Sequence, residues 1–253
     1  YPMKGKILNI RGETVSKIGE NKEITEIKQI LGLEHNKVYT LDEIKNKLRY
    51  GKIIFMTDQD LDGSHIKGLC INLFNSQWND LMKFDNFMGF MNTPIIKASK
   101  GKVVKNFYYE KEYEDWKMNI SNISKWKIKY YKGVGTSTAK EFKEYFQEKK
   151  MIYFKYNGNE CKNSLDMVFN KKRANDRKVW LGNYKREDIL DSKYNEISYN
   201  DFVNREMIHF SKYDCERSIP NLMDGLKIST RKILFSAFKR NLTKEIKVAQ
   251  LAG

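Results

Sequence analysis

The stretch IIFMTDQDLDGSHIKGL, Ile53 to Leu69, decides how the chain is read. Four apolar residues lead into Asp58, Asp60 and Asp62 at alternate positions, followed by Gly63 and a new apolar rhythm. A short, β-branched apolar run predicts a buried strand over 52–57. Beyond it, Ile66, Leu69, Cys70, Leu73 and Trp78 recur at helical spacing and predict a helix over 64–81. Alternate residues of an extended segment share one face, so the three aspartates are expected to converge at the strand's end. Converged carboxylates repel one another unless a cation lies between them.

Four chemistries compete for the cluster. An EF-hand calcium loop opens on D-x-D-x-D-G, but a helix leads into it and its twelfth position is a glutamate. Here Leu69 holds that position and a strand leads in, so calcium is excluded. Asp60-Leu-Asp62-Gly63-Ser64 also fits a magnesium-dependent phosphotransferase that forms an aspartyl-phosphate, although no later acidic pair follows an apolar strand. A non-catalytic basic DNA-binding domain would need the acids only around a helix start, where the dipole favours Asp62 but accounts for one acid of the three. A magnesium site for phosphodiester chemistry uses a few carboxylates together with waters and phosphate oxygens. His65 stands where it could reach a phosphate, and a lone histidine beside a turn is as often an exposed donor.

The 253 residues carry 47 lysines and arginines against 32 acids, a formal charge of +15 that favours a polyanionic partner or simply keeps the chain soluble. With 40% hydrophobic residues the chain can bury a core. No apolar run approaches the roughly 18–20 residues that cross a bilayer, and the start, YPMKGKILNI, lacks a signal-peptide layout. It does not begin with Met and reads as a piece of a longer polypeptide. Cys70, Cys161 and Cys215 have no metal-type spacing and predict packed or surface thiols in a reducing compartment.

Strand-like and helix-like runs alternate, which predicts an α/β layer architecture. Further strands are expected at 92–98, 107–110, 127–131 and 151–156. STAKEFKEYFQEKK predicts a helix capped by Ser137 or Thr138. The glycines of KGVGTST predict a tight strand-to-helix turn rather than a phosphate loop. Tyr130, Tyr131 and Phe146 are expected to pack in the interior. Residues 163–184 predict one long basic helix, 185–201 a polar linker, and the remainder short helices with basic starts.

LRYGKIIFMTDQDLDGSHIKGL closely resembles the acidic motif of the TOPRIM domain in eukaryotic-type type IIA DNA topoisomerases. YPMKGKILNIRG, KYYKGVGTSTAKEFKEYF, FNKKRANDRKVWL, ERSIPNLMDGLKISTRKILFSAFKRN and KVAQLAG resemble successive blocks of the same family, in the same order. The resemblance implies a Rossmann-like TOPRIM domain over 1–170, a basic helix and linker over 171–200, and the opening of a mostly helical winged-helix domain over 201–253. It implies Mg²⁺ at Asp58 and Asp60, with Asp62 as third member. It places double-stranded DNA against Lys6 and Asn9, against Lys171, Lys172 and Arg173, and against Lys227, Arg231 and Lys232; Lys4, beside the first pair, has the right charge and spacing to join them or is simply solvated. Phosphate contacts of this kind position a duplex rather than read it.

The family's catalytic glutamate motif precedes a PMKGK-like stretch, and its nucleophilic tyrosine, preceded by an arginine, follows a KVAQLAG-like one. No catalytic residue is therefore expected within this stretch, which by itself should not cut DNA. The resemblance further implies a homodimer, ATP used by a separate domain, and a nuclear location or, for a viral relative, the replication compartment in host cytoplasm.

Overall fold

The computed structural model describes residues 1–35, 37–190 and 194–253. Three short helices precede the acidic motif: α1 (Val15–Glu20), α2 (Lys22–Leu31) and α3 (Leu41–Asn46). Each begins where a side chain accepts an otherwise unpaired backbone N–H: Thr14 for α1, Asn21 for α2, and Thr40 in a reciprocal capping box with Glu43 for α3.

β1 (Ile53–Phe55) then pairs in parallel with β2 (Met88–Met91), Ile53 opposite Met88 and Phe55 opposite Phe90. Parallel neighbours need a crossover. It is supplied by α4 (Leu61–Gln77), which has Ile71, Leu73 and Phe74 almost wholly buried and runs through the middle of the core. α4 starts three residues earlier than the apolar spacing predicts, because Asp60 caps it. β2 has no sequence expectation behind it: four continuous buried residues show no alternation to read.

β3 (Ile96–Lys100), β4 (Val103–Phe107) and β5 (Lys127–Tyr130) form a separate antiparallel sheet in the order β4-β3-β5. α5 (Glu110–Asn119) covers it, with Tyr113 and Trp116 against Phe107. The chain returns through α6 (Ala139–Glu148) to β6 (Met151–Lys155), antiparallel to β2. Thr138 is the α6 cap, in a capping box with Glu141.

Two sequence expectations fail next. The long basic helix is instead α7 (Asn159–Phe169), a short 3-10 turn, and α8 (Ala174–Gly182). Asn170 breaks it with ψ of 117°, its side chain accepting from the Lys172 amide, a local bond that competes with helix continuation. The expected linker contains β7 (Glu196–Ser198), parallel to β6, which completes a sheet in the order β1-β2-β6-β7. The rest of that linker includes residues 191–193, outside the described residues.

α9 (Tyr199–Phe202), a five-residue π-helical segment at Val203–Met207 and α10 (Ile208–Ser218) follow without interruption. Tyr199, Phe202, Val203 and Met207 join the same core as α4 and the sheet. α11 (Ile228–Lys239) and α12 (Val248–Ala252) bury no residue and expose Phe235 and Phe238. Tyr130 and Phe146 are exposed and Tyr131 half-buried rather than interior; Tyr130 meets Tyr113 edge-on and leaves most of its surface to solvent. All three cysteines are free thiols, Cys70 and Cys161 buried. No helix among the described residues is long and apolar enough to cross a membrane.

Candidate functional site

The site forms where β1 ends. In open α/β sheets, ligands bind beyond the carboxyl ends of the strands, and Asp58 and Asp60 lie in the loop between β1 and α4. Asp60 adopts extended backbone and its Oδ1 accepts from Gly63 N at 2.7 Å. The loop folds back so tightly that a Cβ on Gly63 would lie 2.0 Å from the Asp58 carbonyl oxygen. Across from it, Gly133 has φ of +104°, and a Cβ there would come within 2.7 Å of the Asp58 carboxylate. The KGVG glycine therefore gives Asp58 room, in the tight turn that the sequence predicts. Asp60 borders a cleft of 170 Å³ shared with Thr93, Tyr131, Lys132 and Gly133, and a larger one of 770 Å³ on its other side.

The expected three-way convergence does not occur. The segment stops being extended at Asp60, so Asp62 lies in the first turn of α4. Its Oδ1 is 2.9 Å from Lys6 Nζ, and Arg217 approaches both oxygens at 3.3 and 3.4 Å. Hydrogen bonds from Lys6 and then Arg217 hold the Asp62 carboxyl below the usual range. Among the described residues no three acids, histidines or cysteines are placed to hold one metal. Two carboxylates in an exposed cradle still suit Mg²⁺, which keeps several waters and takes substrate oxygens. Asp58 and Asp60 thus fit such an ion; Asp62, already matched by two cations, fits it only if those pairs open.

His65 is half-buried, its ring stacked on Phe210 at 4.0 Å, and its Nδ1 is buried without a partner. Burial, then the nearby Lys6 charge, pushes its pKa down to about 4. At neutral pH it is an uncharged ring, not a cationic hand for phosphate. Asn9 is likewise turned to internal use: its amide donates to the Phe169 carbonyl, and its oxygen accepts from Asn72 Nδ2 and Arg11 N.

The basic side chains divide by partner. Lys171 pairs with Glu13 at 2.9 Å, Arg173 with Asp176 and Asp166, and Arg231 grips both oxygens of Asp224. Lys4, Lys172, Lys227 and Lys232 are exposed and make no ion pair among the described residues. Sequence reasoning missed Lys67 and Arg217. Nothing local marks a lysine as buried or an arginine as reaching back to a helix start 155 residues earlier.

This geometry, acids at the first strand's end and a mixed sheet wrapped on a central helix, is that of a Toprim-type metal domain joined to a helical extension. The Toprim domain model matches residues 1–88, the C-terminal associated domain of TOPRIM 91–215, and the DNA gyrase/topoisomerase IV A-subunit model 217–253. DNA topoisomerase 2 of Plasmodium falciparum is 50% identical over 258 residues, covering 100% of this chain and 18% of the relative. Human DNA topoisomerase 2-beta is 48% identical over 267 residues, covering 100% of this chain and 16% of the relative. The crystal structure of the Plasmodium falciparum topoisomerase II DNA-binding, cleavage and re-ligation domain matches with a TM-score of 0.87 at 49% identity, over 99% of this chain and 34% of that one. The chain belongs to the type II DNA topoisomerase family. It spans less than a fifth of the length of these curated relatives.

Proposed function

We propose that this chain supplies the metal-holding acids and part of the DNA-gripping surface in the breakage–reunion core of an ATP-dependent type II DNA topoisomerase. The observation that supports it most is the placement of Asp58 and Asp60 just beyond β1, with glycine clearance at Gly133 and Lys132 on the cleft that Asp60 borders. Asp58 and Asp60 would hold Mg²⁺, and Asp62 would share it once Lys6 and Arg217 release it. When bound, Mg²⁺ offsets charge on the leaving oxygen of a phosphodiester. Gly63 N–H fixes one Asp60 oxygen, so the carboxylate keeps its direction without a metal.

Lys6 and Asp62 are each about two-fifths exposed, and pairs so exposed contribute about 0–1 kcal/mol. A DNA phosphate can therefore draw Lys6 from Asp62, coupling duplex arrival to release of the third acid. Lys4, Lys172, Lys227 and Lys232 would hold the backbone of double-stranded DNA without reading its bases. The complete enzyme on this reading works as a nuclear homodimer, with ATP used elsewhere and the nucleophilic tyrosine outside this stretch. Asp60→Asn in the complete enzyme tests it. Cleavage and relaxation should fall by roughly a hundredfold or more with unfolding temperature unchanged, and undiminished cleavage would remove the metal assignment.

A further inference from the structure

Ser64 and Lys67 lie three apart on α4 and so share a face. Both reach one carboxylate oxygen: Glu206 Oε1 is 2.7 Å from Ser64 Oγ and 2.5 Å from Lys67 Nζ. Lys67 is 3% exposed, with its ammonium over the Phe90 ring at 4.1 Å. An ammonium so buried is strongly destabilising once its counter-charge is removed, and Glu206 is that counter-charge. Glu206 belongs to the π-helical segment between α9 and α10. One extra residue in a turn rotates the rest of the helix by about 100° against regular α geometry. Val203 and Met207 remain in the core while Glu206 faces α4. Single π-turns inside helices occur frequently at functional sites.

The helix that Glu206 grips is the one that Asp60 caps. Ser64 Oγ also lies 3.3 Å from the Asp60 carbonyl oxygen, so Glu206 stands one side chain away from the cap itself. We propose that Glu206 is a positioning residue which, through Ser64 and Lys67, fixes the first two turns of α4 and thereby the direction in which Asp60 presents its carboxylate to a divalent ion. The inference rests on the metal reading of Asp58 and Asp60. Glu206 itself touches neither metal nor DNA on this account. The π-turn is the device that aims it.

The test compares Glu206→Gln and the double variant Lys67→Met/Glu206→Met with the parent, in the full-length polypeptide that contains this chain. Three quantities are measured: unfolding temperature, hydrogen exchange at the Gly63 amide, and the Mg²⁺ concentration for half-maximal DNA cleavage. Removing both polar partners together leaves no unpaired charge, so the double variant should unfold close to the parent. Its Gly63 amide should nonetheless exchange about tenfold faster, and its Mg²⁺ midpoint should rise several-fold. Parent-like exchange together with a parent-like midpoint would reduce the pair to packing and overturn the proposal. If the double variant does not fold, Ser64→Ala must still speed Gly63 exchange, and unchanged exchange there also overturns it. Gly63 exchange needs no metal. An Asp60→Asn enzyme with an unshifted Mg²⁺ midpoint would sink the metal reading alone, and faster exchange in the Glu206 variants would still support its hold on α4.

Discussion

Gly133 and Gly135 stand two residues apart in KGVGTST, and only one of them is constrained by its surroundings. Gly133 combines a positive φ with a Cβ position inside the Asp58 carboxylate, whereas a Cβ on Gly135 meets nothing within 4 Å. An L-residue in left-handed backbone costs roughly 1–2 kcal/mol before any clash. Gly133→Ala should therefore displace Asp58 and weaken Mn²⁺ binding measured by calorimetry, while Gly135→Ala leaves it unchanged; equal effects would show that Asp58 clearance does not matter. The place of Asp58 and Asp60 just beyond a strand was legible because an apolar run followed by alternating acids is a local signal. The convergence expected of Asp62 failed for the same reason: alternation presumes extended backbone, and the Asp60 cap starts the helix at Leu61. His65 shows the limit most plainly, since its neutrality comes from burial and then from the Lys6 charge, neither visible at positions 64–66.

At the scale of elements, caps and periodicity read well and breaks read poorly. The sequence offers Ser137 or Thr138 as the α6 cap, and the structure settles on Thr138 in a capping box with a buried Glu141. Glu141 is 8% exposed; burial raises its pKa, and bonds from the Thr138 amide, Tyr131 hydroxyl and Lys129 outweigh that and hold it at about 2. In the unfolded chain a glutamate titrates near 4.3. Between those values the unfolded state binds more protons, so this group's stabilisation is present above about pH 4.3 and is lost as pH falls toward 2. The full effect is on the order of 3 kcal/mol. Glu141→Gln should flatten the acid limb of a stability-against-pH curve measured by circular dichroism, and an unaltered limb would exclude Glu141 as its source. The split of the basic helix at Asn170 was hidden because asparagine is tolerated inside helices, and only its bond to Lys172 N reveals the stop. β7 was hidden because three residues carry no period, and its ladder partner is β6.

Across the whole molecule, the +15 charge is a poor guide to which cations are left free for a polyanion, since many are held by acids of the chain itself. Lys172→Ala and Lys232→Ala should each make the salt dependence of DNA binding shallower by about one unit, as seen in filter-binding titrations. Asn9→Ala should leave that slope alone and instead cost about 1–3 kcal/mol of stability, because Asn72 and the Phe169 carbonyl lose partners. A changed slope in Asn9→Ala would return it to the DNA surface. The sequence by itself determined the family resemblance, the α/β class, the β1-to-α4 acidic turn and a cap for α6 at Ser137 or Thr138, each read from motifs and periodicities that are local in the chain. Tertiary structure alone decided that Asp62 is held by Arg217, 155 residues away, that Lys67 is buried against Glu206, 139 away, and that α9 and the π-helical segment after it join the core around α4. Ionic partners are chosen by where packing leaves a charge short of water, and that quantity exists only after the chain has closed on itself.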